Sequence, residues 1–150
     1  MIKHTFKCTA RFSGGYNGVG TIENKHLNTQ ISIPEEMNGP DIGTNPDEML
    51  MSAAVTCFTI TMSSYFEKNN LFTEVDYVNA VATISIDRGL QTYESIHYNV
   101  YLVTKGDHSI NIEKLKRIIS KAENNCMITR ALKGNVNVVI EGIYLDGNSI

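Results

Sequence analysis

The stretch that most constrains this chain is GTNPDEMLMSAAVTCF, residues 43–58, together with the segment that follows it. Pro46 fits the first position of a helix, where its missing N–H costs nothing. Thr44 or Asn45 can cap that helix, and Asp47 and Glu48 suit the positive end of its macrodipole. From Met49 to about Lys68 there is neither Gly nor Pro, and apolar or small residues recur nearly all round. Ser52, Ala53 and Ala54 let another element approach closely. A helix without a polar face has to be buried and central. A chain of 150 residues cannot comfortably cover such a helix alone, so an obligate dimer is expected. One thiol, Cys57, lies inside this helix.

The remaining elements follow from periodicity and breakers. Lys3 to Phe12 mixes β-branched and aromatic residues and ends in the turn-rich SGGYNG. Val19 to Glu23 and Leu27 to Ile33 read as two more strands. PEEMNGPDIG is a loop, broken by Pro34, Gly39, Pro40 and Gly43. After the helix, Val78 to Ile86 and Ile96 to Thr104 alternate with period two, a half-buried antiparallel hairpin turning near Gly89 to Gln91. Ile112, Leu115, Ile118, Ile119 and Ala122 form one stripe of a second helix, from Ile112 to Glu123. Cys126 opens a short third helix ending near Gly134, and Asn135 to Tyr144 is a last strand. The order βββ-α-ββ-α-α-β is an α+β pattern, and the absence of a linker or repeat predicts one domain over 1–150.

Composition narrows the function. A net charge of −3 with no basic patch argues against nucleic acid as the main partner. The N-terminus, MIKHTFKCTARF, has no apolar signal-peptide core. No apolar run approaches the roughly 20 residues a membrane span needs. Three cysteines, none in a CxxC pair, suit a reducing cytoplasm. Four scattered histidines (His4, His26, His97, His108) offer no zinc-ligand spacing.

The cysteines differ in setting. Cys8 reads as a small strand residue with a structural role. Cys57 is too far inside its helix for the helix N-terminus to acidify it, so a thiolate there needs an outside cation or hydrogen-bond donor. Cys126 follows Asn124 and Asn125, both good caps, and free N–H groups at its helix start can stabilise a thiolate. One thiol to attack and one to resolve is the minimum for a cysteine peroxidase cycle. Spacing alone does not decide whether the two meet or serve as separate core residues.

Three motifs carry a family resemblance. GTNPDEMLMSAAVTCF matches (G/A)TNPE-x-L-x-A-A-x-x-x-C-F, and AENNCMITRALKGNVNV matches A-E-x-x-C-P-x-S-x-A-L/I-x-G-N. TARFSGGYNGVG matches a strand–GG–turn–strand opening. In order and spacing the chain resembles the OsmC/Ohr family of thiol peroxidases over nearly its whole length. The resemblance implies antiparallel sheets wrapped around central helices in an intertwined homodimer, with active sites at the subunit interface. It implies reduction of organic hydroperoxides in oxidative-stress defence, with Cys57 becoming a sulfenic acid and Cys126 closing a disulfide. A dithiol, such as a dihydrolipoyl protein, would reopen that bond, and no metal or organic cofactor is implied.

Three positions depart from the pattern. Tyr16 stands where the Ohr branch has arginine, Asp47 replaces glutamate, and Met127 replaces proline. A guanidinium keeps its charge and a fork of donors, whereas a phenol offers one donor and is ordinarily neutral. Arg11 or Arg130 can supply the charge instead, or both can be surface arginines. Asp47 is ten residues before Cys57, about 15 Å along one helix, so it is expected to act across the dimer interface, to pair with a cation, or to turn away and cap its helix. In the last case Cys57 keeps an ordinary acidity. The competing function is a weakly active family member that binds a small apolar ligand or senses redox state.

Overall fold

The computed structural model describes residues 1–150. The chain divides into two compact units, Met1–Met49 and Leu50–Ile150. In the first unit β1 (Thr9–Ser13), β2 (Val19–Glu23) and β3 (Asn28–Ile31) form an antiparallel meander. The β1–β2 connection needs glycine: Gly14 has φ 102°, in the left-handed region that side chains disfavour. At Gly20 an added Cβ would lie 1.9 Å from the Arg11 carbonyl oxygen, so only glycine lets the two strands meet there. Asn24 makes the β2–β3 turn by accepting from the backbone N–H groups of His26 and Leu27.

The strand expected over residues 3–12 is shorter than its propensity suggested. Residues 1–8 are exposed and outside any strand, because β2 supplies a five-residue ladder that pairs only Thr9 to Ser13. Cys8 is therefore exposed and not a buried strand residue.

The first unit ends by starting α1 (Pro46–Lys68). Asn45 is its cap: Oδ1 accepts from the Glu48 N–H at 2.9 Å, and Nδ2 donates to the Glu48 carboxylate at 3.0 Å. The Thr44 hydroxyl donates to the same carboxylate. The Asn45 bond satisfies one donor that a helix start otherwise leaves open, and the Glu48 carboxylate holds the Asn45 and Thr44 side chains in place.

In the second unit α1 buries one stripe, Ala54, Phe58, Met62 and Phe66, spaced four apart. Fully burying side chains of the Phe or Met size contributes about 1.5–3 kcal/mol each. The opposite stripe, Ser52, Ala53, Thr56, Ile60 and Ser63, is exposed, with Ile60 65 % accessible. By length and composition α1 could cross a membrane, with a mean hydropathy of 1.3. No unbroken apolar run of that length exists, as expected, because serines and threonines interrupt it; only the average over the helix reaches the limit. Here its aromatic stripe packs on the sheet, and Phe58 stacks on Tyr98 at 5.0 Å.

That sheet has the order β4 (Thr73–Asp87), β5 (Leu90–Thr104), β6 (Asn137–Leu145), β7 (Asn148–Ser149). The β4–β5 hairpin turns on Arg88 and Gly89, both at positive φ (50° and 81°), as a two-residue turn that follows the strand twist. Ile96, Tyr98, Val100 and Leu102 alternate inward on β5. On the outer face Tyr77, Tyr101 and Tyr144 stack across three strands at 4.3 and 4.7 Å. The sheet is mixed and not wholly antiparallel as expected, because β6 runs parallel to β5. A parallel neighbour requires a long crossover, which α2 (Ile112–Asn125) and α3 (Met127–Leu132) provide. Leu115, Ile118, Ile119 and Ala122 of α2 complete the core, as their spacing predicted.

Candidate active site

Cys57 is on α1 beside the buried Phe58 and is itself half-buried. Cys126 is fully buried at the corner between α2 and α3. Its φ of −58° and ψ of 126° break the helical path, so one helix ends and the next begins at the same residue. The Cys126 N–H closes onto the Glu123 carbonyl at 3.2 Å, and the Arg130 N–H donates to the Cys126 carbonyl at 3.0 Å. Asn124 and Asn125 thus belong to the last turn of α2 and are not caps of α3. The Asn124 amide donates to the Ser120 carbonyl and that of Asn125 to the Tyr65 hydroxyl.

This corner brings the two thiols into hydrogen-bond contact. Burial pushes the Cys57 thiol up, but the Cys126 thiol, the backbone N–H groups of Ile128 and Met127 and the Thr61 hydroxyl together bring it below its ordinary value. Cys126 moves the other way: burial raises it, and so does the hydrogen bond to Cys57, against weaker lowering by Thr129. The sequence placed the free N–H groups of α3 at the service of Cys126. They are divided: the Met127 and Ile128 N–H groups serve Cys57 on α1, and the Thr129 N–H serves Cys126 as expected. These donors are neutral, so the downward shift of Cys57 arises here without a guanidinium. Thr61, four residues from Cys57 on α1, was a legible signal; the backbone donors were not.

Of the other candidate residues, Arg130 is exposed on α3. Arg11, Tyr16 and Asp47 belong to the first unit. Arg11 is exposed on β1, opposite Thr21. Tyr16 sits in the one-turn helix Gly15–Asn17 and its hydroxyl donates to the Met37 carbonyl. Asp47 is half-buried in the first turn of α1, where the capping is done by Asn45 and Glu48. The sequence reading missed Tyr98, Glu123 and Thr129. The Tyr98 hydroxyl is buried without a hydrogen-bond partner, and the buried Thr129 hydroxyl makes no hydrogen bond of full geometry. A cleft of about 510 Å³ opens farther along α1, beside Ile60, Phe66, Leu71 and the Lys105–Glu74 ion pair, and neither cysteine lines it.

Residues 39–141 match the family model described as OsmC-like protein. The chain belongs to the OsmC family. It is 41 % identical over 142 residues to the uncharacterised protein YmaD of Bacillus subtilis, covering 94 % of this chain and 95 % of that one. It is 25 % identical over 141 residues to the organic hydroperoxide resistance protein of Xanthomonas axonopodis pv. citri, covering 92 % and 94 %. Among solved structures, an OsmC-like protein of unknown function from Vibrio cholerae superposes with a TM-score of 0.73 at 16 % identity, over 93 % of this chain and 99 % of that one. The organic hydroperoxide resistance protein OhrB of Bacillus subtilis gives 0.63 at 23 % identity, over 94 % and 98 %. The OsmC fold is thus shared across proteins whose names include a hydroperoxide function and others whose names do not.

Proposed function

We propose that this OsmC-family protein is a thiol-dependent reductase of organic hydroperoxides. The observation that carries the reading is the hydrogen-bonded pair Cys57–Cys126 with opposite shifts in acidity. The thiolate is the nucleophile in such chemistry. Cys57 attacks the terminal oxygen of the hydroperoxide, the O–O bond breaks, and the alkoxide leaves as alcohol after taking a proton. Cys57 is left as a sulfenic acid. Cys126 then forms the S–S bond and the sulfenic oxygen leaves as water. A dithiol, such as a dihydrolipoyl protein, restores both thiols by exchange. The cycle as proposed runs in the cytoplasm and uses no metal or organic cofactor.

The protein works in this reading as a homodimer whose two units form one functional domain. The exposed stripe of α1 supports this: an aliphatic and small-residue face on a central helix is what a second copy would cover. Asp47, Arg11 and Tyr16 would then approach the site across the interface. Arg130 would contribute charge near Cys126.

A weakly active binder or redox sensor is the second reading, and one observation favours it. The Tyr16 hydroxyl is committed to the Met37 carbonyl, so it offers no spare donor to a peroxide. Consumption of cumene hydroperoxide by the purified protein with dihydrolipoamide separates the two. Wild type should turn over, Cys57→Ser should not, and Cys126→Ser should oxidise once and stall. Equal rates in wild type and Cys57→Ser would eliminate the peroxidase reading.

A further inference from the structure

The Cys126 proton ends in the water that leaves, and the cycle does not say by what route it gets there. Cys126 has to lose its proton as it attacks, yet its side chain is fully buried and burial favours the neutral thiol. Around it lies a polar group of residues that the two-cysteine chemistry does not use. Thr129, on α3, lies against both the Cys126 sulfur and the Glu123 carboxylate. Its buried oxygen nevertheless makes no hydrogen bond of full geometry, so it is free to turn toward either. Glu123 is half-buried one turn before Cys126 on α2, and burial outweighs the Thr129 contact to hold its carboxyl above the ordinary range. Tyr98 closes the back of the cluster, fully buried, its hydroxyl unpartnered. Burial first, then the neighbouring Cys126, Glu123, Cys57 and Tyr93, keep that phenol protonated.

We infer that Glu123, reached through the Thr129 hydroxyl, accepts the proton of Cys126 when the disulfide closes. The inference rests on the peroxidase reading for its oxidant but concerns a step that other thiol oxidants also require. The Cys126 S–H gives its proton to the Thr129 oxygen as that hydroxyl passes its own to Glu123. The freed sulfur pair forms the S–S bond, the S–O bond of the Cys57 sulfenic acid breaks, and the hydroxide takes the proton back from Glu123 and leaves as water. The proton balance closes, and Glu123 returns to its starting state. Thr129 touches the reacting sulfur, while Glu123 acts through it. The half-exposed position of Glu123 gives the path its outlet to solvent, which Cys126 lacks.

The test follows disulfide closure in wild type, Glu123→Gln, Glu123→Asp, Thr129→Val and Thr129→Ser, each treated in parallel with cumene hydroperoxide and with diamide. Diamide is attacked by Cys57 and displaced by Cys126, so it needs the same deprotonation without any peroxidase competence. Two quantities are read: loss of the first thiol, and formation of the Cys57–Cys126 bond. At pH 7 the first should be unchanged in all variants. Closure should slow about 10²-fold in Glu123→Gln and Thr129→Val, in the range ordinarily lost with a general base. Thr129→Ser and Glu123→Asp should recover much of it. In Glu123→Gln closure should accelerate steeply with rising pH until Cys126 ionises unaided, while wild type stays flatter. The ionisable groups facing Cys126 are Cys57 from α1, Tyr98 from β5, and Glu123 itself. Cys57 is already the more acidic thiol and Tyr98 stays neutral, so the steepening reads Cys126. Closure at the wild-type rate in Glu123→Gln and Thr129→Val, or slowing without the steeper pH profile, overturns the inference. If hydroperoxide yields no first phase while diamide closure still slows in Glu123→Gln, the peroxidase reading fails and the proton path stands.

Discussion

The thiol of Cys126 donates to the sulfur of Cys57, and this one contact moves the two acidities in opposite directions. The difference in acidity between them is therefore set at the α2–α3 corner by burial and neutral donors. Removing the donor should show it. In Cys126→Ala the pH midpoint for alkylation of Cys57 should rise relative to wild type, because the contact that lowers it most is gone. In Cys126→Ser a hydroxyl still donates and the rise should be smaller. Iodoacetamide labelling read by mass spectrometry across pH 5–10 checks this, and an unmoved midpoint in Cys126→Ala would sink it.

Asn45 satisfies the otherwise orphaned Glu48 N–H at the start of α1 and is almost wholly buried. Asn45→Ala should cost about 1 kcal/mol, the usual loss on removing such a cap. Urea denaturation at fixed protein concentration measures it. No loss of stability would mean that Thr44 and Glu48 alone hold the helix start.

Ile60 lies outside the core of its own chain, with 65 % of its surface exposed. Ile60→Glu should leave the secondary structure intact and abolish or weaken self-association. Sedimentation at micromolar concentration checks it, and an unchanged dimer would place the interface elsewhere.

Asp146 accepts from the Thr104 N–H at 2.9 Å and hydroxyl at 2.6 Å, and these bonds hold its carboxyl below the ordinary range. A carboxylate depressed in the folded state adds stability above its unfolded pKa, near 3.9. It loses that stability as pH falls through the lower folded value. Asp146→Asn should therefore lower the denaturation midpoint at pH 7, and the gap to wild type should narrow below about pH 4. The same gap at pH 7 and pH 3 would show that the charge is not what matters.

What the sequence made legible was set by periodicity. The stripe Leu115, Ile118, Ile119, Ala122 located α2, and the absence of breakers after Pro46 located α1. The hairpin was recognised but shortened, since β4 begins at Thr73 and β5 at Leu90. Register shifts between Val75 and Tyr77 and between Thr83 and Ile84 interrupt the alternation that marks a strand. At the site, cysteine spacing was readable and their meeting was not, because that contact depends on the ψ of Cys126 bending the chain back. Side-chain cations were the visible route to a reactive Cys57. The backbone N–H groups of Met127 and Ile128 have no sequence signature.

Cys57 and Cys126 stand sixty-nine positions apart in the chain, and between them lie β4, β5 and α2. A bond joining them would therefore be a covalent clasp around most of the second unit. Closing a loop of that length removes chain entropy from the unfolded protein worth about 4 kcal/mol in the entropic account. For a domain of this size that corresponds to a melting temperature raised on the order of 10 °C. The oxidation state of the pair would then be readable as thermal stability, and each visit of the reductant would loosen the fold as well as restore the thiols.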